Sequence, residues 1–343
     1  MARGIKFLQE AIIKLSSLGD IIHLALLLPM FESRQREWFV DEEFSEILRY
    51  SPFVSQIHPL PIRKLLKGRR WRELYTLLNN LKQLNSYDYV IDAQGLLKSA
   101  IIAHFLPSKR KIGFSFQSAK EGLSALFYHE HCHINYQEHI LKRNAKLLSE
   151  AYCLPYKHQL LDEFLQKGRL CCLPGLNASD EAKQKIQTLI QDYKGKKIVF
   201  ALESSKPNKV YPPQQFLVLS KYLDKNFHIF LLSYSYPLIA QEMQESNPCL
   251  VCLPKLSLDE VKALLMQVDL VIGGDTGVVH LAFALNIASI TLFGNTPIER
   301  FALLSPINRA LRAEASRDYQ KDDFSIATLC PKKIAEIAKD LLR

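Results

Sequence analysis

Residues 271–280 read VIGGDTGVVH, which brings glycines, a carboxylate, a hydroxyl and an imidazole close together in the chain. Leu270, Val271 and Ile272 form a short β-prone run that Gly273-Gly274 breaks. Asp275 or Thr276 can cap a following helix by accepting from its free N–H groups. The apolar stretch from Val278 to Leu285 is long enough for a buried helix. A helix N-terminus presents unpaired amides and about half a positive charge, which suits a phosphate or diphosphate. Gly277 lets a ligand approach the backbone, with His280 one turn further on. The plain alternative is a capped helix with a satisfied histidine, and this stretch alone does not choose between the two.

Two other loops carry reactive side chains. KLSSLGDIIH (14–23) puts Asp20 at the start of a helix, facing any cleft above its sheet, although capping is the commoner role for such a residue. ALESSKPNKVYP (201–212) offers Ser204 and Ser205 as donors to phosphate oxygens and Lys209 as a point charge for a diphosphate. A surface turn is the alternative there. One carboxylate in the first half, with hydroxyls, a lysine and a helix N-terminus in the second, suits transfer from a nucleotide diphosphate.

The elements that must position these loops fall into two similar halves. Strand candidates in the first are a run around Ala11–Lys14, WFV (38–40), SQIHPL (55–60), YDYVID (87–92) and KIGF (111–114). After a polar link near Pro174–Asp180 come KIVFAL (197–202), HIFLLS (228–233), CLVCLP (249–254), DLVIGG (269–274) and ASITLFG (288–294). Alternation of strands and helices at this spacing predicts parallel sheets built from βαβ units. The expected organisation is a first domain over 1–170, a second over 171–325 and a C-terminal amphipathic helix within 326–343. Two such domains make a cleft at which strand ends bind ligands. No P-loop and no G-x-G-x-x-G occurs, which removes the main support for an ATPase or an ordinary dehydrogenase.

Composition narrows the classes further. The 343 residues are 48% hydrophobic and 23% charged, ordinary for a globular protein. The apolar run IIHLALLLPMF (21–31) is too short to span a bilayer, and the first 20 residues show no secretory pattern, so a cytoplasmic protein is expected. Seven cysteines without a pairing pattern are expected to be reduced. His129, His131 and His133 alternate as on a strand face, but no second ligand pair accompanies them, so no metal site is expected. The net charge of +9 is concentrated locally: IRKLLKGRRWR (62–72) holds six basic residues and no acid. That run suits an anionic partner, or is simply a solvated helix face. No nucleic-acid motif accompanies it, and DNA or RNA is not expected.

The segment GGDTGVVHLAFALNIASITLFGNTPIERF resembles the signature of the bacterial lipopolysaccharide heptosyltransferases, glycosyltransferase family 9. KLSSLGDIIH, WFVDEEFSEIL, YDYVIDAQGLLKSA, SAKEGLSALFY and LPKLSLDEV resemble the same family in order, so the likeness covers nearly the whole chain. DAQGLLKSA and the LFY segment are most similar to its heptosyltransferase I branch, which adds the first heptose to Kdo on lipid A.

The resemblance implies an α/β protein of GT-B fold, with two Rossmann-like domains whose parallel sheets face each other across a cleft. It implies an inverting transfer from ADP-heptose, releasing ADP, to Kdo-lipid A, with no obligatory cofactor. It also implies a peripheral position on the cytoplasmic face of the inner membrane; we expect a monomer. By position, Asp20 matches the general base, and Ser204, Ser205 and Lys209 match the donor diphosphate site, with Lys209 aiding departure of ADP. Leu256 falls where the family packs against adenine. Asp275, Thr276, Gly277 and His280 match the donor-sugar and phosphate loop, Asp275 being suited to heptose hydroxyls rather than phosphate. Ser17 and Gly19 flank Asp20 on the acceptor side, where Arg63, Lys67, Lys98 and Lys120 face the acidic acceptor. The chain departs from the family in having Lys120 where arginine is frequent, no glutamate near Tyr234–Leu238, and about seven extra residues before the first strand. Rival readings are heptosyltransferase II, a sugar-nucleotide epimerase, and a sugar-nucleotide-binding module without turnover.

Overall fold

Buried runs of Ile, Val, Phe and Leu form the strands, and polar or glycine-containing turns end them. The computed structural model describes residues 8–31, 35–156, 161–163, 175–234, 237–247, 249–314 and 322–343. The extra residues 1–7, Cys171-Cys172 and Pro174 of the expected link lie outside the described residues. The chain divides into two units, Met1–Leu161 and Asp162–Arg343.

The first unit holds β1 (Gln9–Ile13), β2 (Gln35–Asp41), β3 (Gln56–Leu60), β4 (Tyr87–Asp92), β5 (Ser108–Phe114) and β6 (Glu130–Cys132). They pair in parallel in the order β3-β2-β1-β4-β5-β6. At the centre, Ile12 of β1 lies between Trp38 of β2 and Ile91 of β4. One core joins Ile13, Phe39 and Val90 to Ala100 and Ile102 of the helix Leu97–Phe105.

The second unit repeats the plan. β7 (Lys197–Ala201), β8 (His228–Leu232), β9 (Leu250–Cys252), β10 (Leu270–Gly274), β11 (Ala288–Phe293) and β12 (Asn308–Arg312) pair in parallel in the order β12-β11-β10-β7-β8-β9. Phe200 of β7 packs on Phe216, with ring centroids 4.7 Å apart. The last helix, Pro331–Leu342, belongs to this unit: Ile334, Ala338 and Leu342, spaced one turn apart, bury against the same core as Phe200 and Phe216.

In such sheets the strand order reverses beside β1 and beside β7, and ligands bind where the strands on either side of that point end. In the first unit the loops concerned follow β1 and β4. In the second they follow β7 and β10. Those four loops and the first turns of the helices that follow them contain Asp20, Lys98, Ser204, Lys209, Asp275 and His280.

β6 and β12 were not anticipated. Both are edge strands, and their sequences, EHC and NRALR, carry the charges that edges favour instead of a buried apolar run. The first strand begins earlier than expected and ends at Ile13; Lys14, just beyond it, donates its ammonium to the Ala93 carbonyl. The alternating histidines do not converge: a ring nitrogen of His131 lies 2.9 Å from the carbonyl oxygen of Ala125. Among the described residues no group of three or more His, Cys, Asp or Glu side chains is placed to hold a metal ion.

Candidate active site

The loop after β10 is built by close backbone packing. A Cβ on Gly274 would lie 1.9 Å from the carbonyl oxygen of Lys209, so only glycine lets the β7 loop approach this closely. Gly273 is similarly tight, with the Ala201 methyl 2.8 Å from where its Cβ would stand. The glycine pair thus brings Lys209 against the start of the helix Gly277–Ala284.

There the buried Asp275 takes both partners. Its Oδ2 accepts from the Lys209 ammonium, and its Oδ1 lies 2.9 Å from His280 Nε2. Burial alone would push this carboxyl up, but the His280 hydrogen bond and the Lys209 charge outweigh it and hold the group well below the usual carboxylate range. An ionised carboxylate only accepts, so Nε2 of His280 carries the proton. Asp275 therefore does not cap the helix. Thr276 occupies the N-cap position but its side chain makes no capping bond, and its buried Oγ1 has no partner among the described residues. An unpaired buried hydroxyl costs about 1–3 kcal/mol. Beside free helix amides and a lysine it is suited to a phosphate oxygen. In the β7 loop, Ser204 is half-buried and Ser205 is exposed.

A small cavity of about 80 Å³ opens beside this loop, lined by Ala201, Glu203, Leu232, Ser233, Tyr234, Leu256 and Val278. Leu256 thus sits in an apolar wall with Val278. The carboxylate lining the cavity is that of Glu203: its Oε1 accepts from the Ser233 hydroxyl and, at 2.6 Å, from the Tyr234 amide. No glutamate stands at Tyr234–Leu238, yet Glu203, just after β7, bonds to Ser233 and Tyr234 at the end of β8.

In the first unit, Ser17 caps the helix Leu18–Ala25, and Gly19 and Asp20 lie in its first turn. Asp20 Oδ2 accepts from the Ser17 amide at 3.1 Å and the Ser17 hydroxyl at 2.9 Å. The capping role is real, and it engages one oxygen of a half-exposed carboxylate. The loop is clamped from β4's end. Gln94 Oε1 accepts from the amides of Leu15 and Ser16, at 2.9 and 3.1 Å. Lys14 donates to the Ala93 carbonyl at 2.6 Å. Burial lowers the Lys14 pKa, and the charges of Asp20 and Asp92 oppose that. Burial raises the carboxyl pKa of Asp92 despite hydrogen bonds from Tyr128, Gln94, Ser99 and Gly95.

The basic side chains gather around Lys98, whose pKa is lowered chiefly by its half-burial and further by Arg63 and Lys120, against Asp41 and Glu121. The two acids are occupied locally: Asp41 Oδ2 accepts from the Arg63 amide at 2.9 Å, and Glu121 Oε2 from the Leu97 amide at 2.7 Å. Arg63 also pairs with Glu43 at 2.6 Å. Lys67 is exposed at the end of the helix Ile62–Lys67 and is not part of this group.

Comparison with known proteins decides the family. The profile of glycosyltransferase family 9 (heptosyltransferase) matches residues 74–332. The chain belongs to glycosyltransferase family 9. A relative from Campylobacter coli, lipopolysaccharide heptosyltransferase 1, is 34% identical, over 97% of this chain and 99% of its own length. The lipopolysaccharide heptosyltransferase 1 of Escherichia coli K12 is 28% identical, over 84% of this chain and 88% of its own. Among solved structures, E. coli heptosyltransferase WaaC with ADP superposes with a TM-score of 0.77 at 24% identity, covering 97% of this chain and all of that one (100%).

This glycosyltransferase accordingly has the GT-B type of domain pair, each with its own parallel sheet. Within its second domain the fold assembles Lys209, Asp275, Thr276 and His280, with Leu256 in the adjoining cavity. Within its first it groups Arg63, Lys98 and Lys120, and holds Asp20 in a clamped loop. Sequence reasoning missed Glu203, Gln94 and Lys14. Glu203 stood beside Ser204 in the quoted loop, and Gln94 in the quoted DAQG, but the partners of each lie on a different strand.

Proposed function

We propose that this glycosyltransferase moves L-glycero-D-manno-heptose from ADP-heptose to Kdo of Kdo-lipid A in lipopolysaccharide inner-core synthesis, as a heptosyltransferase I. The observation that carries the donor assignment is the knot after β10: a lysine, an orphaned threonine hydroxyl and a helix N-terminus around one buried carboxylate. Lys209, Thr276, the amides from Gly277 onward, and the hydroxyls of Ser204 and Ser205 meet the diphosphate. Leu256 and Val278 flank the adenine, and Glu203 accepts from ribose hydroxyls. Asp275 fixes Lys209 and His280 and offers its remaining acceptor capacity to heptose hydroxyls.

Asp20 removes the proton from the acceptor hydroxyl, whose oxygen bonds to the anomeric carbon as that carbon's bond to the diphosphate oxygen breaks. The electron pair leaves with ADP, and configuration inverts. Lys209 and the helix amides stabilise the leaving charge, a task a divalent ion performs in other enzymes, so no metal is obligatory. Ser17 and Gly19 border the acceptor hydroxyl, while Arg63, Lys67, Lys98 and Lys120 face the Kdo carboxylates and lipid phosphates. No described helix is long and apolar enough to cross a membrane. The basic stretch 62–72 is suited to hold the enzyme peripherally at the anionic cytoplasmic face of the inner membrane.

The test is an acceptor panel with ADP-heptose. Transfer to Kdo-lipid A, with ADP release dependent on that acceptor, is expected. Transfer only to an already heptosylated acceptor would make the enzyme a heptosyltransferase II, and ADP-heptose conversion without acceptor would overturn both readings.

A further inference from the structure

One exposed apolar patch lies on the first domain outside the site described. In the 3₁₀ helix Gly122–Phe127, Ser124 and Ala125 face inward and are buried, while Leu123 and Leu126 point out. Three residues per turn puts Leu123 and Leu126 on one face. They are 55% and 78% exposed, and Leu126 is the most exposed large apolar side chain among the described residues. Phe116, 61% exposed, joins them: a Cβ on Gly122 would meet its ring at 3.1 Å, so the ring lies across that glycine beside Leu123.

The segment is anchored to the body of the domain. Glu121 donates its amide to the Gly95 carbonyl at 3.2 Å and accepts from the Leu97 amide. The Arg143 guanidinium donates to the Ser118 carbonyl at 2.6 Å, and Ser118 Oγ accepts from the Ile134 amide at 2.9 Å. Such a segment holds its apolar side chains outward against the hydrophobic effect. Contiguous exposed apolar surface of this kind marks an interaction site. Charge identifies the occupant. Lys120 adjoins the patch in sequence, and Lys98 feels the charges of both Lys120 and Arg63, while the neighbouring acids Glu121 and Asp41 accept from the Leu97 and Arg63 amides. An apolar ridge bordered by cations matches an anionic lipid surface, with the side chains among the acyl chains and the ammonium groups at the phosphates.

We propose that Phe116, Leu123 and Leu126 form a wedge that enters an anionic bilayer and seats the first domain on it. The inference rests on the reading that the acceptor is a lipid, but its test does not need catalysis. Full-length enzyme is floated with vesicles of phosphatidylethanolamine and phosphatidylglycerol, beside the double variant Leu123→Ser/Leu126→Ser and the single variant Leu126→Trp. The wild type should bind these vesicles, the double variant roughly tenfold more weakly, and Leu126→Trp at least as well as wild type, since Trp favours the bilayer interface. Melting and ADP affinity of each variant report whether it folds. Equal binding by wild type and a folded double variant, or no binding by wild type, overturns the wedge. So does a wild type that dimerises in solution through these leucines and becomes monomeric in the double variant. Wild type that binds vesicles but transfers no heptose refutes the proposed function and leaves the wedge standing.

Discussion

Gly274→Ala adds one methyl group where the second domain cannot take it. The new Cβ would stand 1.9 Å from the Lys209 carbonyl oxygen and 3.4 Å from Ile326 Cδ1. Real Cβ contacts do not fall below 3.0 Å, so the two backbone segments must part by about 1 Å. Neither is the tip of a flexible side chain, and overpacking of this kind costs about 1–3 kcal/mol. In a domain of this size that corresponds to roughly 2–12 °C in melting temperature. The displaced segment carries Lys209, so its ammonium leaves Asp275 and the proposed diphosphate site together. A misplacement near 1 Å typically costs about 10²-fold in rate. Calorimetric melting and titration with ADP should show both losses. Gly113→Ala is the control: its Cβ would strike the Tyr128 ring in the first domain, 2.2 Å away, and should destabilise that domain with ADP affinity retained. A Gly274→Ala enzyme that melts and binds ADP like wild type would refute this account of the double glycine.

Gln94→Ala leaves the amides of Leu15 and Ser16 without their acceptor and frees the Asp20 loop; kcat should fall about tenfold or more with ADP affinity unchanged. Gln94→Glu, which still accepts, should recover most of the activity, and equal loss in both variants would contradict a positioning role. Asp275→Asn should destabilise by about 3 kcal/mol at neutral pH, because it leaves Lys209 without its buried partner. The folded-state pKa of Asp275 lies below the unfolded value, so its contribution is full above about pH 4 and is lost as pH falls through the folded value; a gap in denaturant stability that stays constant from pH 7 down to pH 2 would contradict it. Exhaustive chelation should leave most of the transfer activity, and complete loss restored by a divalent ion would show that lysine and helix amides do not suffice.

The fold was legible because its central strands are apolar runs placed between helical patterns, and such strands need no distant partner to be recognised. Two of the four edge strands were harder to see. EHC and NRALR pair with only one neighbour, so nothing in their composition demands a buried face. Asp275 and Lys209 were legible as residues but not as a pair, since 66 positions separate them and only the glycine contact brings them together. Of the two cap candidates, Thr276 takes the N-cap position and Asp275 does not, because Lys209 and His280 engage its carboxylate. Glu203 was hidden because its partners, Ser233 and the Tyr234 amide, lie at the end of the adjacent strand, 30 and 31 positions away.

The central claim is that Asp20 of the first domain is the base that activates the acceptor. Wild type and Asp20→Asn are compared by ADP release from ADP-heptose with Kdo-lipid A present. The asparagine can still accept from the Ser17 amide, so the helix cap, the melting temperature and ADP affinity should be retained. It cannot take the proton, and kcat should fall by about 10²–10⁴. A folded Asp20→Asn enzyme turning over at near the wild-type rate would contradict the account.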